Sequence, residues 1–162
     1  MEYTKLTHPF GPLFDEHSRI LILGSFPAVK SREMNFFYGH PRNRFWPLIA
    51  LLTGSAPPAD IPAKRELILQ NHLALWDVIA SCEIRGSSDS SIRNAVANDL
   101  SRILGSAPIG RIYTNGSLAG KLYEKYQFPV TGIRAVTLPS TSPANAAWSL
   151  ERLAQAWRVV TL

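Results

Sequence analysis

A chain of 162 residues, 46% of them hydrophobic, has the size of one α/β domain and buries about 70% of its unfolded surface without staples, which excludes disulfide scaffolds and disorder. Seventeen Lys and Arg against 12 Asp and Glu leave a formal net charge of +5, an excess that favours a polyanionic partner, with a merely solvated basic surface as the plain alternative. The single Cys82 and the lack of CxxC or HxxxH spacing predict a reducing cytoplasm and no structural zinc; the absence of a spanning-length apolar run and the acids and prolines of Met1–Asp15 predict neither membrane segment nor secretory signal.

In chain order, Arg19–Phe26 (RILILGSF) is a continuous apolar run closed by Gly24, Ser25 and Pro27, the pattern of a strand buried on both faces. Phe45–Thr53 reads as a helix whose Pro47 lies within the first turn and whose Gly54 ends it, leaving Asn43 just ahead of it. Pro62 suits a first helical position in a helix running to about Asn71. Leu73–Trp76 is a second strand, ending at Asp77. Asp89 is placed to cap a third helix with Ile92, Val96, Leu100, Ile103 and Leu104 on one face and Gly105 at its end. Arg111–Thr114 and Ile133–Leu138 are strands three and four. A final helix is expected from a Ser142 cap and Pro143, with Ala147, Leu150, Ala154 and Trp157 along its buried stripe.

Strands alternating with helices predict a parallel sheet covered on both faces, in one domain over 1–162. Ligands in such sheets bind beyond the carboxyl ends of the strands. The residues that follow the four strands are Ser25-Phe26-Pro27, Asp77, Asn115-Gly116 and Ser140-Thr141-Ser142, so every polar cluster falls at that one edge. Turn chemistry alone also gathers such residues at strand ends, and a site is the alternative.

The segments Leu23–Ala28 (LGSFPA), Tyr38–Trp46 (YGHPRNRFW), Leu75–Ile92, Tyr113–Gly116 (YTNG) and Leu138–Ala146 (LPSTSPANA) resemble, in order, the motifs of the uracil-DNA glycosylase superfamily, and most closely its hypoxanthine (deoxyinosine) branch. The resemblance implies a three-layer α/β/α sandwich with a central four-stranded parallel sheet. It also implies a metal-free, cofactor-free hydrolysis of the N-glycosidic bond of a deaminated base in DNA. Two positions depart from much of the superfamily. Phe26 stands where a catalytic Asp or Asn is common, and Leu138 where a histidine is common. The deoxyinosine branch shares such departures, and its HPRN asparagine maps onto Asn43.

Glycoside hydrolysis passes through an oxocarbenium-like state, so the base needs donors as it leaves and water must be held at the sugar carbon. Asn43 is the candidate catalytic residue, orienting water through its amide oxygen, with a simple helix cap as its other reading. Gly24, Ser25 and His40 are candidates to meet the leaving base. Asp77 is placed to accept from its N1–H, or else is a buried turn acid. Phe26 and Tyr38 are the preferred aromatics to stack on the extruded ring, among a cluster that includes Phe36, Phe37 and Phe45. Ser140, Thr141 and Ser142, ahead of the expected last helix, are candidate phosphate contacts with Arg42 and Asn145.

The alternatives are a uracil or xanthine glycosylase of the same superfamily and a non-catalytic binder of damaged DNA. A serine hydrolase built on Ser25 and His40 lacks the GxSxG elbow, and no GxGxxG or P-loop occurs. Within the matching motifs only Lys30, at their edge, offers an amine, so no Schiff-base lyase step is expected. A monomer is expected.

Overall fold

The structure is a computed structural model that describes residues 2–85 and 91–161. Its centre is a parallel sheet of four strands, β2 (Ile20–Gly24), β3 (Leu73–Asp77), β6 (Arg111–Asn115) and β7 (Ala135–Leu138), in the order β3-β2-β6-β7. The four strands are those read from the apolar runs. β2 and β3 are buried at every position, as a strand covered on both faces requires. Register pairs Gly24 with Asp77 and Leu23 with Thr114, so the carboxyl ends finish level. The strand order reverses direction between β2 and β6, the place where sheets of this kind open a crevice.

Both faces carry helices. On one, the linked Thr114 and Thr137 hydroxyls (3.1 Å) lie under Gly120 of helix α5 (Ser117–Leu122). A Cβ at Gly120 would come within 2.3 Å of Thr137 Oγ1, so glycine sets how closely that helix seats. On the other, Tyr113, one residue along β6, turns its hydroxyl to the Val159 carbonyl beyond helix α7 (Leu150–Trp157). Helix α2 (Phe45–Thr53), closed by Gly54 at φ 67°, packs against α7 through Phe45 and Trp157. Helix α3 (Ile61–Gln70) starts as the sequence suggests, with Pro62 in its first turn and the Asp60 carboxylate capping Ala63 N–H at 2.9 Å.

Two expected helices are corrected. From Arg93 to Ala97 the chain is strand β5, and only Ser101–Leu104 is helical (α4); Asp89 lies outside the described residues. The apolar spacing through Ile92, Val96 and Leu100 mimics a helix. Ladder pairing with β4 (Ile79–Ile84) prevails, and Val96 is left 57% exposed. With β1 (Thr4–Thr7), these strands form a second, antiparallel sheet in the order β1-β4-β5.

The last helix begins at a Ser149 cap, and Ser142 caps none. The reason is Arg44. Its guanidinium takes the carbonyls of Thr141, Ser142, Asn145 and Trp148, and the backbone between them closes as separate turns, Asn145 N–H on the Ser142 carbonyl at 3.0 Å and Trp148 N–H on the Asn145 carbonyl at 3.2 Å, in place of a continuous helix. Sequence reading also left without a counterpart helices α1 (Val29–Met34) and α6 (Phe128–Thr131), and the π-helical turn Tyr123–Gln127 that joins α5 to α6.

Candidate active site

Beyond the carboxyl ends of the sheet lies a cavity of about 130 Å³, far below the roughly 300–1,000 Å³ of pockets for drug-sized ligands and of the scale of one heterocyclic base. The turn after β2 contributes Gly24, Ser25 and Phe26; β3 gives Asp77; β6 gives Asn115; the loop after β7 gives Ser140, Thr141 and Ser142; the segment before α2 gives Tyr38, His40 and Asn43. Phe10 and Phe37 complete the apolar wall. The polar residues following all four strands therefore do meet. An adjoining open groove shares Ser25, Asn115, Ser140 and Ser142 with the cavity and runs on to Asn145 and Trp148.

Asp77 is 5% exposed, and its Oδ2 is held at 2.7 Å by His8 Nε2. Phe10 N–H reaches His8 Nδ1 at 3.4 Å, which places the ring proton on Nε2 and makes His8 the donor. His8 follows β1, and its backbone N–H continues that strand's pairing to the Ala80 carbonyl at 2.7 Å, so the small sheet delivers it. Nothing local in the sequence marks His8: a partner 69 residues away is visible only once β1 pairs with β4. The other carboxylate oxygen, Oδ1, carries no hydrogen bond among the described residues and stands against Gly24, where a Cβ would come within 2.4 Å of it. Glycine at 24 is what lets the acid turn into the cavity.

Asn43 lies on the cavity wall, but not with the group the sequence suggested. Its Oδ1 accepts from Phe45 N–H (2.9 Å) and from Thr141 Oγ1 (2.8 Å), which uses both lone pairs of the amide oxygen. A backbone N–H can only donate, so the amide orientation is settled, and the group left for a ligand is the Nδ2 amine. The expectation of an oxygen that accepts from water is corrected to a nitrogen that donates. Thr141 is fully buried, accepts from Asn115 Nδ2 at 3.0 Å, and donates its backbone N–H to Asn115 Oδ1 at 3.0 Å. It is therefore no phosphate contact, and its hydroxyl is a link that fixes Asn43.

Tyr38 also lines the cavity, half-buried. Its ring is stacked on Phe45, with centroids 4.1 Å apart at 23°, which occupies one of its two faces. Its backbone sits at φ 52°, the left-handed region that side-chain-bearing residues avoid. Its hydroxyl is buried without a partner, and burial, then the Asp77 carboxylate, push its pKa far above the ordinary 10.0, with the Asn115 amide pulling the other way. The stability tied to the neutral ring is therefore complete below pH 10.0 and is lost as pH rises past it, because the unfolded chain ionises and the folded one resists. Thermal midpoints of Tyr38→Phe and the parent compared from about pH 9 to about pH 11 should diverge in favour of phenylalanine; a constant gap would refute it.

Phe26, 7% exposed, borders the cavity with His8 edge-on at 5.9 Å and the Arg32 guanidinium over its ring, 5.9 Å from the centroid. His40 Nδ1 accepts from Arg42 N–H at 3.0 Å, leaving Nε2 as the donor. Arg42 is exposed beside Asn43. Ser140 and Ser142 accept from the backbone N–H groups of Ser142 and Ala144, shaping the loop, and Asn145 donates to the Ser140 carbonyl. Among the described residues no group of three or more His, Cys, Asp or Glu could hold a metal ion, and no helix is long and apolar enough to cross a membrane.

Residues 12–161 match the model of the uracil DNA glycosylase superfamily. The chain is 34% identical over 153 residues to a hypoxanthine DNA glycosylase of Methanosarcina acetivorans, covering 93% of this chain and 95% of the relative. To a hypoxanthine DNA glycosylase of Methanosarcina barkeri it is 33% identical over 138 residues, 84% and 86% of the two chains. A Methanosarcina acetivorans protein solved by solution NMR superposes with a TM-score of 0.77 at 31% identity, over 97% of this chain and 99% of that one.

Proposed function

The chain belongs to the uracil DNA glycosylase superfamily, and from that membership we propose that it hydrolyses the N-glycosidic bond of a deaminated base in DNA, with hypoxanthine as the preferred base. The observation that carries this reading is the free Asp77 Oδ1 inside a base-sized cavity at the sheet's switch point. A carboxylate oxygen there accepts from N1–H, which hypoxanthine has and adenine lacks. The two Methanosarcina relatives named for hypoxanthine support the same base.

The buried sugar carbon of a duplex is out of reach, so the nucleotide must first swing out. The open groove through Ser140, Ser142 and Asn145 gives the flanking strand a path, with Arg42 as a phosphate partner. The Phe26 ring takes the face of the base. As the bond stretches, charge moves onto the base and is met by Ser25 and by His40 Nε2–H. Asn43 Nδ2 holds the water by donating to its oxygen, leaving the second lone pair for the sugar carbon, and the proton the water sheds on attack neutralises the departed base anion. No lysine lines the cavity, so water and not an enzyme amine ends the reaction.

Incubation with duplexes carrying deoxyinosine, deoxyuridine or deoxyxanthosine tests this. Free hypoxanthine should appear fastest, and strands should break only after alkali. Binding without abasic sites would instead identify a damage binder, and faster release of uracil or xanthine would reassign the substrate.

A further inference from the structure

Among the described residues, the Tyr38 hydroxyl is the one buried side-chain polar atom with no hydrogen-bond partner. Such an atom is costly to leave unpaired, and this one belongs to a residue that lines the cavity. It also has a specific neighbour. A Cβ built on Gly24 would meet Asp77 Oδ1 at 2.4 Å and Tyr38 Oη at 3.5 Å, so the unengaged carboxylate oxygen and the unengaged hydroxyl stand side by side over the same glycine. The carboxylate can only accept, and the hydroxyl, held protonated, has its proton free to give.

An acceptor beside a donor is the complement of a lactam edge, H–N–C=O. We propose that Tyr38 is a specificity-determining residue that donates Oη–H to the exocyclic carbonyl oxygen adjoining the N–H accepted by Asp77. The two side chains together then read the edge that deamination creates. Adenine presents the opposite polarity, a ring lone pair against the carboxylate and an amino group against the hydroxyl. Deamination turns both positions around at once. The hydroxyl gains further importance as the bond breaks, because the departing base spreads negative charge onto that carbonyl oxygen. Uracil carries an equivalent edge and is accepted by the same pair. Guanine shares the hypoxanthine edge, so its exclusion falls to the wall around the 2-position. The φ of 52° at Tyr38, held in place by the ring's stack on Phe45, is the conformation that brings this hydroxyl to Asp77.

The inference rests on the base-excision reading above, and its failure can be told apart from failure of that reading. Tyr38→Phe keeps the stack and removes only the hydroxyl. Paired duplexes carrying deoxyinosine or 6-thio-deoxyinosine supply the same N1–H with a good and a poor acceptor beside it. The expected result is a roughly ten- to hundredfold loss of kcat/KM on deoxyinosine in Tyr38→Phe, with the two enzymes within about threefold on the thio substrate. The variant's thermal midpoint should be no lower than the parent's. The ratio of rates on the two substrates does not depend on how much protein is folded, so a poorly folding variant still gives an answer. Retention of the parent's rate on deoxyinosine, or an equal loss on both substrates, would overturn the assignment. A parent enzyme that releases no hypoxanthine would overturn the base-excision reading instead.

Discussion

Replacing Asn43 by alanine should cut hypoxanthine release by about 10²–10³-fold, the cost of one positioned donor at a reacting centre, and replacing it by aspartate should cut release as deeply. The pair of substitutions separates two chemistries. In Asn43→Asp, one carboxylate oxygen can still accept from Phe45 N–H and Thr141 Oγ1, so the local frame survives, but the group turned to the cavity becomes an acceptor. If Asn43 acts through Nδ2–H, aspartate is no better than alanine. An Asn43→Asp enzyme close to the parent rate would show that an acceptor is what the water needs. Asn43→Ala gives up the hydrogen bonds from Phe45 N–H and Thr141 Oγ1, about 1 kcal/mol each, well short of the roughly 5–15 kcal/mol that holds a domain folded, so a melting curve distinguishes damage to chemistry from damage to fold. Single-turnover release of free base is the measurement.

The second large effect is expected at Asp77, where the isosteric Asp77→Asn should perform no better than Asp77→Ala on deoxyinosine, each losing roughly 10²-fold. His8 is the reason. Its Nε2–H demands an acceptor, so the new amide must give His8 its oxygen and turn its NH2 to the cavity, where it meets the N1–H of hypoxanthine donor to donor. In a site without His8 the amide would be free to flip and would substitute tolerably. An Asp77→Asn enzyme within about fivefold of the parent would therefore refute the edge-reading role of the acid and the locking role of His8 together.

Much of the fold was legible because it rests on local rules. Continuous apolar runs marked all four strands of the parallel sheet, Gly54 and Pro62 marked helix ends, and the polar residues after each strand pointed to one edge. The helical expectations failed where a distant partner competed with local pattern. The spacing around Val96 is helical, yet β4 offered it a ladder. Ser142 and Pro143 look like a helix start, yet Arg44, 98 residues from Ser142, binds the carbonyls along that stretch, which folds as separate turns. Asn43 could be named from its motif context, but its chemistry depended on which end of the amide Phe45 and Thr141 occupy.

By itself, the order of residues determined the strands, the edge at which their polar ends gather and the set of side chains from which a site could be drawn, since each follows from interactions between near neighbours along the chain. Only the tertiary structure decided that His8 holds Asp77, that Thr141 is an internal link and that Asn43 faces the cavity with its nitrogen. A hydrogen bond uses up a specific lone pair or proton, and which one is used depends on partners that folding alone brings within reach.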